Sequence, residues 1–272
     1  MTQLSERVRA YLPAVLAGGA IAAQITYPLA QDDARDVMTI VVVLLSAAAC
    51  LVHAAVNRGA AWTAGLLITT AGIGLASEVV GTATGIPYGC YSYATDRLGP
   101  DIAGVPFVVP LAWTAGFYPV WCVSVYITRR HWKRAVLTVV GVVGWDLYLD
   151  AQMVADGQWR WCVTDSGLPG LEHIPLTNYA GWLLVAVLMV TVMSAIDSRL
   201  RVSDCPPRVS DSRRDTVPLV LFAWTWLGSA LAHSVFLSAP ELRFSAVYGL
   251  LVMGVLGMPL ARKLLAERAP RR

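Results

Sequence analysis

Eight times along this chain, about twenty residues pass with almost no charge, at 10–29, 37–56, 62–80, 106–128, 135–153, 179–197, 216–237 and 244–262. Wound as an α-helix, a run of that length matches the apolar thickness of a bilayer. Backbone polar groups in lipid must be satisfied inside the spanning element, so such runs leave a helical bundle as the workable architecture. A chain that is 56% apolar and 14% charged, with a mean hydropathy of +0.57, fits that class better than a soluble one. The expected fold is all-α: a polytopic membrane protein of about eight transmembrane helices, forming one integral-membrane domain over 1–272. The first run is read as a span and not as a cleavable signal, because Gln24 to Leu29 extend it without a small-residue cleavage site.

Basic residues give the spans a direction. With the N-terminus inside, the inside segments hold Arg7, Arg9, Arg58, Arg129, Arg130, Lys133, Arg134, Arg199, Arg201, Arg208, Arg213, Arg214, Arg262, Lys263, Arg268, Arg271 and Arg272, which is 17 of the 21 basic residues. Each outside loop keeps one: Arg35, Arg97, Arg160 and Arg243. This bias predicts a multi-pass protein of the cell membrane with both termini cytoplasmic. The inside connection 199–215, with Pro206 and Pro207, reads as a polar linker whose arginines meet anionic headgroups and not nucleic acid. The outside loops 80–106 and 154–178 are rich in Gly, Pro, Tyr and Trp. They are expected to fold back over the membrane as re-entrant or interfacial segments.

Three carboxylates break the hydrocarbon pattern. Asp146 and Asp150 lie near the outer end of the fifth run, at an i,i+4 spacing that puts both on one helix face. Glu78 lies near the outer end of the third. A carboxylate near a bilayer core is costly and points to function, although an ion pair or a cap for loop amides would also account for one. Around this depth the sequence gathers Tyr88, Tyr91, Tyr93, Trp113, Trp145, Tyr148, Trp159, Trp161 and Trp182. An interfacial belt explains part of that set; an aromatic-lined pocket able to stabilise a developing cation explains it together with the acids.

A desolvated carboxylic acid facing a trisubstituted alkene can protonate it to a tertiary carbocation, which water held by a second carboxylate can capture. Loss of a proton instead gives isomerisation or cyclisation, so the residues alone leave the outcome open. The run from Glu78 through Gly85-Ile-Pro-Tyr88-Gly-Cys-Tyr91-Ser-Tyr93 carries a more specific signal, with Leu98-Gly-Pro, Gly104-Val-Pro and Pro110-Leu-Ala-Trp113 after it. Asp146-Leu-Tyr-Leu-Asp150, Gly157-Gln-Trp159-Arg-Trp161 and Ile174-Pro-Leu-Thr-Asn178-Tyr-Ala-Gly-Trp182 extend it. Together these blocks resemble the carotenoid-biosynthesis membrane proteins of the CruF type, which include carotenoid 1,2-hydratases and bisanhydrobacterioruberin hydratases. The resemblance covers roughly 70–185; the first two and last two spans share only hydropathy and order.

The resemblance implies cofactor-independent addition of water to the ψ-end of an acyclic or monocyclic carotenoid held in the bilayer, leaving a tertiary alcohol. It makes Glu78, Asp146 and Asp150 the catalytic acid–base set. Asn178 would orient water or a carboxylate, and Tyr88, Tyr91, Tyr93, Trp113, Trp159, Trp161 and Trp182 would line the polyene end. Other enzymes of the same pathway are the expected protein partners. The chain departs from the pattern at Ala151, where a proline is expected, so the helix should run on toward Met153.

Two rival readings remain at this point. Asp32-Asp33-Ala-Arg-Asp36 and the Asp146/Asp150 pair have spacings that could hold Mg²⁺ on a diphosphate, as in a membrane prenyltransferase. An acidic run in an outside loop is more simply a solvated turn. Carboxylates within spans can also relay protons in a transporter. The four histidines share no ligand-like spacing, so no metal site is expected; His233 reads as a helix–helix hydrogen bond. Cys50 and Cys122 read as lipid- or core-facing and Cys205 as cytoplasmic, whereas Cys90 and Cys162 share the outside face and could close a disulfide over it. Gly72, Gly74, Gly141 and Gly144 are expected to permit close helix packing.

Overall fold

The computed structural model describes residues 3–94, 96–204 and 215–268, with side chains over 11–94, 96–200 and 215–268. Cys205 and most of the 199–215 connection fall outside the described residues. Among the described residues apolar periodicity becomes nine α-helices: α1 (Gln3–Thr26), α2 (Asp32–Arg58), α3 (Ala60–Leu67), α4 (Ile73–Thr84), α5 (Val108–Ile127), α6 (His131–Ala155), α7 (Leu176–Asp204), α8 (Thr216–Leu231) and α9 (Leu242–Arg268). A π-turn over Ile68–Gly72 joins α3 to α4, and another over Ala232–Phe236 prolongs α8. Among the described residues this gives eight helical spans long and apolar enough to cross a membrane. The protein is an all-α polytopic membrane protein, and every expected span is present. With Ala151 in place of proline, α6 does continue past Asp150, to Ala155.

Helix α5 is the buried axis: Trp113, Phe117, Tyr118, Trp121 and Tyr126 are all enclosed. Helices α2, α6 and α8 pack around it, and α9 closes on α6. Outward faces of α7, α8 and α9 expose Leu184, Leu231 and Leu251. In water these would form an aggregating patch; on a spanning helix they meet lipid. Small residues set the close contacts, as expected for three of the four glycines named. A Cβ would lie 2.5 Å from Val120 at Gly141, 2.8 Å from Met253 at Gly144 and 2.7 Å from Trp113 at Gly74. Gly72 differs: it stands in the π-turn and meets nothing nearer than Ile68 at 4.0 Å.

Of the two forms expected of the long loops, the re-entrant one is not seen among the described residues. The loops form a small β-lid instead. Strand β1 (Tyr91–Tyr93) pairs antiparallel with β4 (Trp159–Trp161), with Tyr91 opposite Trp161, Ser92 opposite Arg160 and Tyr93 opposite Trp159. The hairpins β2 (Asp101–Ile102) with β3 (Val105–Pro106), and β5 (Gly167–Leu168) with β6 (Leu171–Pro175), complete it. Alternation is the cause: in Y-S-Y and W-R-W every second residue is a ring, so four rings share the inner face while Ser92 and Arg160 face outward. Beside this ladder Cys90 and Cys162 are joined in a disulfide, as their shared face allowed.

A polar clamp fixes the lid to the first helices. Arg97 binds Asp36 with two nitrogens, at 2.8 and 2.7 Å, and Gln158 donates to the same carboxylate. Asp156 accepts from Arg35 and Tyr27, both at 2.8 Å. Asp36 is therefore a buried ion-pair member on α2, which corrects the expectation of a solvated acidic turn; Asp32 and Asp33 remain exposed. At the opposite end Arg58 pairs with Asp215 at 3.0 Å, and Trp62 donates to Asp197 at 3.0 Å. The lid loops thus gather at one end of the bundle, as an even number of alternating crossings requires.

Two outcomes test this arrangement. Reducing the denatured protein should add two alkylatable thiols, counted by mass; no gain would contradict the Cys90–Cys162 bond. Arg97→Ala strands the Asp36 carboxylate and should cost about 2 kcal/mol, seen as a lowered thermal midpoint in detergent.

Candidate active site

Glu78 sits on α4 between two glycines placed where side chains would block it. Gly74 and Gly81, at i−4 and i+3, share its helix face. A Cβ at Gly81 would lie 2.7 Å from the Tyr91 hydroxyl and 2.9 Å from the Tyr88 ring. The opened space lets three donors reach one carboxylate: Tyr91 and Tyr93 hydroxyls donate to Oε2 at 2.6 and 2.7 Å, and Trp113 Nε1 donates to Oε1 at 3.2 Å. Burial, and after it the charge of Glu78, pushes the Tyr91 and Tyr93 phenols well above their ordinary range, so both remain donors. Both tyrosines come from β1, so the lid strand is also the anchor of the acid.

Across the cavity, α6 presents Asp146 and Asp150 to α7. Asn178 Nδ2 donates to Asp150 Oδ2 and, at 3.5 Å, to Asp146 Oδ2. Asp150 and Asn178 line the cavity, as does Glu78; Asp146 lies behind them, fully buried, and its Oδ1 has no partner among the described residues. No cationic side chain among the described residues pairs with any of the three carboxyl groups. The ion pairs Arg35–Asp156, Arg58–Asp215 and Arg97–Asp36 all lie elsewhere. Neither an ion-pair role nor the capping of loop amides describes them.

Rings fill the rest of the wall. Trp113 stacks on Trp182 with centroids 3.8 Å apart, and Trp145 meets Trp182 edge-on at 5.5 Å. Tyr88 and Tyr91, and likewise Tyr93 and Trp159, meet in T-shaped pairs, while Trp161 leans on Tyr91. The cavity, of about 200 Å³, is bounded by all eight of the predicted lining residues, Tyr88, Tyr91, Tyr93, Trp113, Trp159, Trp161, Asn178 and Trp182. Trp161 also ties the lid, its Nε1 donating to the Tyr88 carbonyl at 3.1 Å. Tyr148 touches the cavity but donates to the Trp226 carbonyl, turned away from the acids.

Some contributors carried no sequence signal of their own. Gln152, two residues past Asp150, lines the cavity and meets His233, which also contacts Ser245 on α9. His233 is thus the expected interhelical hydrogen bond. Gln24 on α1 and Trp224 on α8 reach the same cavity from outside the matched motifs. The Asp32–Asp36 run does not join the site, because Arg97 and Gln158 occupy Asp36. Among the described residues no three His, Cys, Asp or Glu side chains are placed to share a metal ion.

Fold and site together define an integral membrane protein whose helical bundle encloses an acid-bearing aromatic cavity under a disulfide-tied lid. Comparison with known proteins is specific about which: the family described as carotenoid biosynthesis protein matches residues 38–256, and this chain belongs to it. A curated relative is the bisanhydrobacterioruberin hydratase of Haloarcula japonica, 33% identical over 171 residues, or 58% of this chain. The chain covers 52% of that relative's length. No solved structure matches.

The glycines supply a direct test of the site. Gly74→Ala should drive Trp113 off Glu78 and destabilise the protein by about 1–3 kcal/mol, with a changed near-ultraviolet circular dichroism from the Trp113–Trp182 stack. An unchanged spectrum would contradict this packing.

Proposed function

We propose that this protein hydrates a terminal trisubstituted double bond of an acyclic or monocyclic carotenoid without a cofactor, and that it does so in the cell membrane with the lid end facing outward. The observation that carries this reading is the asymmetry of the carboxyl groups. Glu78 is surrounded by three donors, while Asp146 and Asp150 lie together and share the Asn178 amide, with Trp159 a further neighbour of Asp150. Two adjacent carboxyl groups with no cation paired to either among the described residues hold a proton between them more readily than two charges. Family membership supplies the pathway, and the named hydratase relative supports the reaction type.

In this scheme Asp150, facing the cavity, donates its proton to the less substituted alkene carbon, and the π electrons form the new C–H bond. The tertiary cation left behind lies among Trp113, Trp182, Tyr91 and Trp159, whose ring faces stabilise positive charge. Glu78, with its three donors, would supply the opposing charge. Water positioned by Asn178 attacks the cation, and its spare proton returns to the aspartate pair through Asp150. One alkene and one water give one tertiary alcohol, with the acid regenerated. Asp146 acts through Asp150 and is a positioning residue.

Expression in a bacterium that accumulates lycopene tests this reading by pigment mass. Wild type should add one water, and EDTA should leave turnover of the purified protein unchanged. Asp150→Asn should lower turnover by at least about a hundredfold, and Glu78→Gln by a similar factor, with the protein still inserted and folded. Absence of any pigment heavier by one water, with lycopene and other acyclic carotenoids supplied, would overturn the assignment. Loss of activity in EDTA would favour metal-dependent prenyl transfer.

A further inference from the structure

The cavity does not end at the carboxylates. Its lining also takes in Leu149 and Met153 on α6, Val42 and Val43 on α2, Gln24 on α1, Pro28 in the turn after it, and Trp224, Gly228 and Ser229 on α8. Helix α8 packs on α5 and α9, and α1 packs along α2, but α1 and α8 meet only lightly. Where the cavity reaches this seam, Trp224 Nε1 donates to Gln24 Oε1 at 2.7 Å. An amide in a spanning helix is costly unless it is bonded, so Gln24 is an unusual residue for α1 to carry unless that bond matters. Gly228, one turn beyond Trp224, leaves the indole room to lie along α8; a Cβ there would stand 3.2 Å from two ring atoms.

We infer that the α1–α8 seam is a lateral portal through which the polyene passes between bilayer and site, with Trp224 as its leaf and Gln24 as its latch. This rests on the hydratase reading for the identity of the passenger. A long apolar polyene dissolves among acyl chains and has to reach the acids from the side. The lid end is shut by the Cys90–Cys162 bond and by Arg97 on Asp36. The α5–α6–α9 side is shut by the tight contacts at Gly116, Gly141 and Gly144. The α1–α8 seam is a lightly packed wall of the cavity, and a side-chain hydrogen bond, Trp224 to Gln24, spans it. Its lining also suits the product: Thr225 and Ser229 on α8 offer hydrogen-bonding partners to a hydroxyl leaving through an otherwise apolar passage.

The test uses the full chain in lipid nanodiscs, with lycopene as the probe. Pigment uptake is followed by quenching of tryptophan fluorescence, and hydration by mass. In Gln24→Cys/Trp224→Cys, bridging the two thiols with a bifunctional methanethiosulfonate should slow uptake and turnover by at least about tenfold. Reductant should restore both, and wild type carried through the same steps corrects for its own thiols and disulfide. Gln24→Leu, which frees the leaf without a cross-link, should speed uptake about fivefold, the worth of one neutral hydrogen bond. Uptake that neither bridging nor Gln24→Leu alters would overturn the portal, whatever happens to the pigment. Uptake that responds as described while no variant adds water would uphold the portal and overturn the hydratase reading.

Discussion

Three buried carboxyl groups in a membrane helical bundle, with no cation paired to them among the described residues, are the constraint to which the rest of this structure answers. A buried ionised carboxylate with no compensation costs several kcal/mol. The compensation here is built from neutral donors, and providing them dictates the surroundings. Glu78 requires a glycine on either side of it, a tryptophan from α5, and two tyrosines carried in on a lid strand. That strand in turn requires a partner strand, a disulfide, and the Arg97–Asp36 clamp that fixes the lid to α2.

The other acids are treated differently, and the difference gives the site its chemical direction. Asp146 and Asp150 share the Asn178 amide, and among the described residues one oxygen of Asp146 has no hydrogen-bond partner. A saturated carboxylate on one wall faces an under-served pair on the other, with stacked indoles between. In the proposed reaction the first would face the developing cation and the second would supply the proton. For a carotenoid substrate, the bilayer would add one more requirement, a side passage such as the one proposed between α1 and α8.

The spans were legible because hydrocarbon runs and the bias of Lys and Arg are direct records of the lipid environment. The three acids were legible for the same reason, as exceptions within those runs. Asp146, Asp150 and Asn178 do meet, and Glu78 does face them across the rings. What escaped was pairing across sequence distance. Y-S-Y and W-R-W each carry the period-two pattern of a strand, but three residues are too few to outweigh an interfacial reading, and only their mutual register makes a sheet. Asp36 looked like part of a solvated turn because Arg97 and Gln158, which bury it, lie sixty and more than a hundred positions away. Gln24, Gln152 and Trp224 are single polar or aromatic residues in apolar helices, and nothing local marks them as facing one cavity. Gly72 showed the converse: a small residue in a span whose reason is a π-turn and not a close helix contact.

The most direct test of the central claim follows the atoms of water. Purified protein in nanodiscs, given an acyclic carotenoid in heavy-oxygen water, should place one heavy oxygen in the product hydroxyl. In deuterated water, one deuterium should appear on the neighbouring carbon. Asp150→Asn should abolish both labels together. A hydroxylated product whose oxygen comes from any source other than water, or deuterium exchanged into the carotenoid with no oxygen gained, would contradict hydration by this carboxyl pair.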